Sequence, residues 1–473
     1  MPAMREREIL PAGFSLTLKD GAALNVRPTT NLQVKPVWLL LLVYPLIFLA
    51  VRGSFSFDYM VINNANSGNY GELITVDAGS GSIKHSLELL AAYGSAALAM
   101  FMMLPRMLPA LTENWIVFIL PFYAVLTVTW SQEPKRTLAF SLLAVLNTAF
   151  GVYLARCLAP RQQIKLFVAV GVILAAVSLL LVVALPKAGV DYKNAAIGWQ
   201  GVFPHKNICA LVILSFLLAI LAAPFQGTFA GLRRALAALM ILALLVGTTS
   251  RTGWIVGMVT IVGFYVIRFL RKARHIERLL LVVFLGTVSV AGAWSVFQFG
   301  DEILHLLGKS SDLSGRTVIW RVIIEYLVNH PWFGAGYDAF WLGLRGDSGT
   351  LALQASDPGL NNAENGILQL WLEVGIFGVI FLFAMMIRAC KNAAACLRSD
   401  TPNYVLWYMA ILLLTLLALV DGDKFMYPNA IEWTMFIMAD AGLAYEAKRI
   451  RTQWTDSSSP LHLPEQNRLL QAS

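Results

Sequence analysis

From Val37 onward the chain alternates between apolar runs and polar connectors. The runs fall near 36–52, 86–104, 114–130, 137–157, 164–185, 206–223, 235–250, 252–269, 279–298, 364–387, 403–420 and 429–446. A segment of about 20 mostly apolar residues is what a helix needs to cross the hydrocarbon core of a bilayer. The pattern predicts an all-α polytopic membrane protein of about twelve transmembrane helices. Residues 1–35 carry Arg5, Arg7, Lys19, Arg27 and Lys35 with no apolar core, which reads as a cytoplasmic tail and not a cleavable signal peptide. Residues 448–473 read as a second solvated tail.

Composition agrees with the pattern. Hydrophobic residues make up 58% and charged residues 14%, against roughly 25% charged in a soluble domain. That excludes a soluble enzyme, a disordered chain and a secreted disulfide scaffold. The four cysteines, Cys157, Cys209, Cys390 and Cys396, show no CxxC spacing and no disulfide framework. The net charge of +8 has a topological cause. With the N-terminus inside, Arg106, the Arg156–Lys165 group, Arg233, Arg234, the run from Arg268 to Arg278, Arg388, Lys391 and the tail from Lys448 all face the cytoplasm. An even number of spans puts both termini there. The charge therefore calls for no nucleic-acid partner. The expected organisation is a tail over 1–35, nine helices over 36–298, a large outer loop over 299–363, three helices over 364–447 and a tail over 448–473.

Polar residues at the outer membrane boundary carry the candidate chemistry. Arg251 is the one charge in the tight turn from Gly247 to Trp254, beside Ser250. It reads either as a snorkelling cation or as an anion ligand at a helix N-terminus. His205, Lys206 and Asn207 open an apolar helix, where a lysine opposes the helix dipole and a bound anion would offset it. In the large loop, Ser314 is a plausible N-cap for an amphipathic helix that stops before Pro331. Arg316 lies in its first turn, where a cation is again unfavourable. Arg321 and Glu325, one turn apart, read as a structural pair, and Arg321 also counts among the substrate-facing cations. His330 reads as a helix-end residue. Gly334 and Gly336 permit tight turns next to Trp332, Phe333, Tyr337 and Trp341, which read as interfacial anchors or a sugar-stacking surface. Glu364 and Asn365 open the tenth span, where Glu364 reads as a dipole-matched helix start or as a base for a hydroxyl. Glu373 lies deeper in that span and is expected to pair within the bundle. Asp421–Lys424 reads as a solvated turn.

In order, Trp130-Ser-Gln-Glu-Pro134 with Thr137, Val202-Phe-Pro-His-Lys-Asn207, Ser250-Arg-Thr-Gly253, Gly315-Arg-Thr-Val-Ile-Trp320, His330-Pro-Trp-Phe-Gly-Ala-Gly-Tyr337 and Glu364-Asn-Gly-Ile-Leu-Gln-Leu370 with Glu373-Val-Gly375 resemble the O-antigen ligase/Wzy-type polymerase superfamily, most closely its exopolysaccharide polymerase branch. The likeness runs over roughly 115–390. It implies a metal-independent, inverting glycosyltransferase without cofactor in the bacterial inner membrane. The donor would be an undecaprenyl-diphosphate-linked glycan bound at the periplasmic face, and the acceptor a glycan or a lipid-linked one. Membrane lipids surround it, and a chain-length regulator and a flippase are expected partners. Arg251 and Arg316 would hold the leaving diphosphate, and Glu364 would be the base. His205, Lys206, Asn207, Ser250, Arg321, Tyr337 and Asn365 would line the substrate. One departure is visible: the family carries histidine where this chain has Glu364. Within the class, polymerase and ligase differ in acceptor, and the Phe-Pro-His-Lys-Asn segment favours polymerase. A transporter of lipid-linked glycan or solute is the rival from another class. A transporter places its polar residues near the bilayer midplane, whereas these cluster at one face.

Overall fold

The computed structural model describes residues 36–53, 83–192, 197–273, 316–357, 359–397, 402–421, 425–427 and 429–457. Helices dominate these residues. In chain order they are α1 (Pro36–Ala50), α2 (Ile83–Met102), α3 (Leu104–Glu113), α4 (Ile119–Leu126, flanked by 3-10 turns), α5 (Pro134–Cys157), α6 (Pro160–Ala184), α7 (Lys206–Ala222), α8 (Ala230–Gly247) and α9 (Arg251–Lys272). Then follow α10 (Arg316–Asn329), α11 (Gly346–Gln354), α12 (Gly366–Ala395), α13 (Asn403–Asp421) and α14 (Ile431–Ser457). Helices α5 and α6 each begin on proline, whose missing N–H costs nothing in a first turn.

Five described helices, α5, α6, α8, α9 and α12, are long and apolar enough to cross a membrane, or up to six if the bent pair α2–α3 counts as one span. Shorter apolar helices at Leu39–Ala50, Trp115–Thr129, Lys206–Ala222 and Asn403–Leu419 occupy four further expected positions. The expected ninth span, 279–298, lies outside the described residues, as do the tail 1–35, residues 458–473, Ser314 and residues 422–424; the first part of the expected C-terminal tail is instead a continuation of α14 to Ser457.

Helix α14 occupies the expected twelfth span, 429–446; it is not among the helices apolar enough by composition to cross a membrane, yet every residue from 431 to 443 is buried. It packs on α5, α12 and α13. Gly151 lets α5 come close, since a Cβ there would lie 2.9 Å from the Ile437 side chain. Trp433 Nε1 donates to Thr148 Oγ1 across the same seam at 2.8 Å. Asp440, fully buried, is held by Arg388 of α12 at 2.7 Å.

The ends of the bundle are polar. At one end lie Arg52–Glu432 (3.3 Å), Tyr93–Asn429 (3.2 Å) and Arg136–Asp338 (2.9 Å). At the other lie Arg156–Glu113 (2.8 Å), Tyr404–Glu446 (2.7 Å) and Arg271–Asn403 (3.5 Å).

A smaller core sits on the first end. Ile319, Ile323 and Leu327 of α10 pack with Phe340, Trp341, Leu351 and Leu372. The described part of the large loop, from Arg316 on, is thus a folded cap seated on the head of α12.

Three features depart from expectation. The connector after α2 is itself a helix, bent by 95° from α2. Its Met107 and Ala110 face inward and Leu108 outward; Pro105 sits at the break, where it cannot continue the α2 ladder. The connector before α7 holds a two-stranded antiparallel pair, β1 (Val190–Asp191) and β2 (Gly198–Trp199). Arg321 and Glu325 form no ion pair. Both are exposed on the outer face of α10, where water replaces the pair at little cost.

Candidate active site at the head of helix 12

Helix α12 is broken. Gly375 takes φ 74° and ψ −177° inside it, a conformation open to glycine. The backbone groups freed by the break bond to the segment 331–336. Ala335 N donates to Leu372 O, Gly336 N to Glu373 O and Ile376 N to Pro331 O, each at 2.9 Å. A Cβ on Gly375 would lie 2.0 Å from Trp332 O, so backbone meets backbone here.

The Trp130–Thr137 motif clamps the other edge of this segment. Trp130 Nε1 donates to Phe333 O at 3.1 Å, Gln132 N to Ala335 O at 3.0 Å and Thr137 Oγ1 to Tyr337 O at 2.9 Å. Three motifs far apart in sequence form one joint. The aromatics divide. Trp332 and Phe333 are exposed and touch Phe377 of α12, whereas Tyr337 and Trp341 are buried. Tyr337 donates its hydroxyl to Met426 O.

Above the joint stands the charged pair. Arg316 Nη2 lies 2.8 Å from Glu364 Oε2, joining the first turn of α10 to the turn before α12. Both side chains are partly exposed, at 22% and 35%. Glu364 has φ 50°, uncommon for a non-glycine residue. Its N–H is held by Asn362 Oδ1 at 2.7 Å. Asn365 is the N-cap of α12, accepting from the N–H groups of Ile367 and Leu368. Trp320 Nε1 donates to Ala363 O at 3.0 Å, so α10 grips the same turn twice.

Below, a small cavity is lined by Tyr337, Asp338, Gln369, Glu373 and Tyr427 among others. Glu373 accepts from Gln369 Nε2 at 2.5 Å, which supplies a partner within the bundle. Arg136 meets Asp338 through Nε and Nη2 at 3.0 and 2.9 Å. In the cap, Tyr326 donates to Asp347 Oδ2 at 2.7 Å; burial first and that carboxylate second push its hydroxyl well above the usual tyrosine range. His330 stacks on Tyr326 at 4.5 Å, at the end of α10.

A second cluster forms around the N-termini of α7 and α9. His205 is the N-cap of α7: its Nδ1 accepts from Asn207 N at 3.2 Å, and its Nε2 lies 3.4 Å from the buried Asp191. Both ring nitrogens are engaged, which sets the Nε2–H tautomer. Lys206 is buried; its Cδ lies 2.8 Å from where a Cβ on Gly198 would stand. Ser250 caps α9 through Gly253 N at 3.2 Å, and Arg251, the next residue, is exposed. Thr249 has φ 53° and donates to Ile197 O.

The predicted site residues thus fall into two groups at one end of the bundle. Arg316, Glu364, Asn365 and Tyr337 gather at the head of α12. His205, Lys206, Asn207, Ser250 and Arg251 gather at α7 and α9. Helix α13 packs against α7, α9 and α12. Arg321 lies on the exposed face of α10. Asp191, Arg136, Asp338 and Gln369 were not singled out by the sequence. Each lies in a short segment that looks like ordinary loop or apolar helix until its partner is folded against it. Among the described residues, no group of three or more His, Cys, Asp or Glu could hold a metal ion.

Residues 235–383 match the family model described as O-Antigen ligase. "Exopolysaccharide production protein ExoQ" of Rhizobium meliloti (strain 1021) is 25% identical over 288 residues, 58% of this chain and 64% of that protein. These matches support the O-antigen ligase/Wzy-type polymerase superfamily for this chain. The matched segment contains Arg251, Arg316, Glu364 and Glu373, while His205 and Lys206 precede it. The alignment spans less than two-thirds of the relative's length. A chain solved under "Structural coordination of polymerization and crosslinking by a peptidoglycan synthase complex" aligns at TM-score 0.36 and 16% identity, over 72% of this chain and 97% of that one. A likeness of that size carries no conclusion about fold or function.

Proposed function

We propose that this chain polymerises lipid-diphosphate-linked oligosaccharide repeat units at the periplasmic face of a bacterial inner membrane. In this reading it has about twelve spans, both termini in the cytoplasm and the large loop outside. The observation that carries it is the Arg316–Glu364 pair, set in a strained turn at the rim of the bundle within the matched segment.

At rest the Arg316 guanidinium occupies the Glu364 carboxylate and weakens it as a base. A donor diphosphate competes for that guanidinium, since arginine suits phosphate oxygens as well as carboxylate. Moving Arg316 onto the phosphate releases Glu364 from that ion pair when the donor is bound, which couples the base to the presence of donor. Glu364 then takes the proton of the acceptor hydroxyl. The acceptor oxygen forms a bond to the anomeric carbon from the face opposite the diphosphate. The carbon–oxygen bond to the diphosphate breaks, and the lipid diphosphate leaves with the electron pair and inverted configuration behind it. Arg316 and the exposed Arg251 stabilise its growing charge. Neither role needs a metal or a cofactor. A flippase would supply the donor and a chain-length regulator would act on the product.

A second reading, transfer of finished glycan to lipid A core or protein, is favoured by the description of the matched family, O-Antigen ligase. The ExoQ relative, named for exopolysaccharide production, favours polymerisation. The test is the length of glycan left on the lipid carrier in a strain lacking the gene. Single repeat units support polymerisation, long stranded chains support ligation, and an unaltered carrier pool overturns both. In the complemented strain, Glu364→Gln should cost far more product than Glu325→Gln, and equal losses would reduce Glu364 to a helix start.

A further inference from the structure

Gln369 lies one turn inside α12 and is 2% exposed. Its Oε1 accepts from Ala363 N at 3.0 Å and from Trp341 Nε1 at 2.9 Å. Its Nε2 donates to Glu373 Oε1 at 2.5 Å. Two N–H donors on one side and a carboxylate on the other allow the amide a single orientation. Ala363 directly precedes Glu364, and its carbonyl receives Trp320 of α10, four residues after Arg316. One buried amide thus joins the turn bearing Glu364, the cap, and the Glu373 carboxylate inside α12. A leucine would leave Ala363 N and Trp341 Nε1 without an acceptor. A glutamate would keep both acceptor bonds and meet Glu373 carboxylate to carboxylate.

We propose that Gln369 is a positioning residue for glycan transfer: it holds the Ala363–Glu364 turn against Arg316 by bonding Ala363 N while anchored on Glu373. This rests on the reading of Glu364 as the base. Glu373 is also faced by Asp338, Tyr337 and Tyr427 across the cavity, with Arg136 balancing Asp338. Reversing the direction of the Gln369–Glu373 bond keeps the net charge of that group.

The experiment uses purified full-length protein in detergent, with lipid-linked oligosaccharide extracted from a strain lacking the gene. Gln369→Leu should lower kcat about 100-fold, the scale of a 1 Å misplacement, with KM for the donor unchanged. Gln369→Glu should be comparably impaired. The double variant Gln369→Glu/Glu373→Gln, in which residue 373 now donates to residue 369, should recover to within about tenfold of the parent. Recovery keeps the proposal standing even where Gln369→Leu fails to fold. Failure of the double variant to recover, or a wild-type kcat for Gln369→Leu, overturns it. Glu364→Gln is measured alongside. If it is inactive while Gln369→Leu is active, the positioning role alone is lost; if it is active, the reading of the base fails and the positioning role falls with it.

Discussion

Gly375→Ala probes the joint on which the site stands. The backbone at Gly375, φ 74° and ψ −177°, lies in a region that costs a side-chain-bearing residue about 1–3 kcal/mol. The added Cβ would sit 2.0 Å from Trp332 O, 2.5 Å from Trp332 C and 2.7 Å from Phe333 N, all backbone atoms that cannot rotate aside. The segment 331–336 must retreat, and the three hydrogen bonds to Leu372, Glu373 and Ile376 go with it, at about 0.5–1.5 kcal/mol each. The total is about 2.5–7.5 kcal/mol, reaching into the tail of single-substitution effects. Alanine also favours a straight α12, which would return the freed carbonyls to intrahelical partners and release the loop from the head of the helix. Gly94→Ala is the control. It has nothing within 4 Å of its added Cβ, and alanine is the better helix former, so it should be neutral or slightly stabilising. Both proteins are unfolded thermally in one detergent and assayed for glycan product. If Gly375→Ala melts with the parent and polymerises at the parental rate, the joint does not hold the site together.

Arg251→Ala should leave stability within about 0.5 kcal/mol, because Arg251 is exposed at a helix start; loss of product at an unchanged melting temperature then reports a contact with substrate, and retained product removes it from the site. The same comparison at Arg321, exposed and without an ion pair to Glu325, separates a substrate contact from an idle surface charge. Arg136→Leu leaves the buried Asp338 carboxylate uncompensated and should cost about 3–5 kcal/mol. Adding Asp338→Asn should recover part of that in a double-mutant cycle, and strict additivity would show the two side chains act independently. A reporter fused after Pro331 should read as periplasmic and one fused after Arg106 as cytoplasmic; the opposite pair of signals would invert the proposed topology.

Much of the architecture follows from local properties. An apolar run of the right length becomes a helix in a membrane whatever its neighbours do, since its backbone bonds close within the segment. The positions of α5, α6, α8, α9 and α12 are therefore legible in composition alone. So is the placement of Arg251, Lys206 and Glu364 at or just before the start of an apolar helix, because charge is tolerated at helix ends and not at their centres. Helix α14 falls on the apolar run 429–446, but its Glu432, Asp440 and Glu446 are not accounted for by that run, and only their partners Arg52, Arg388 and Tyr404 explain how they lie inside the bundle. What only the tertiary structure decides is pairing. That Arg316 meets Glu364 and not a neighbour on its own helix, that Arg321 and Glu325 stay apart, and that Pro331–Gly336 caps a break in α12 all depend on which distant segment arrives at hydrogen-bonding distance. No periodicity records such contacts, because they join residues from about 40 to more than 200 positions apart.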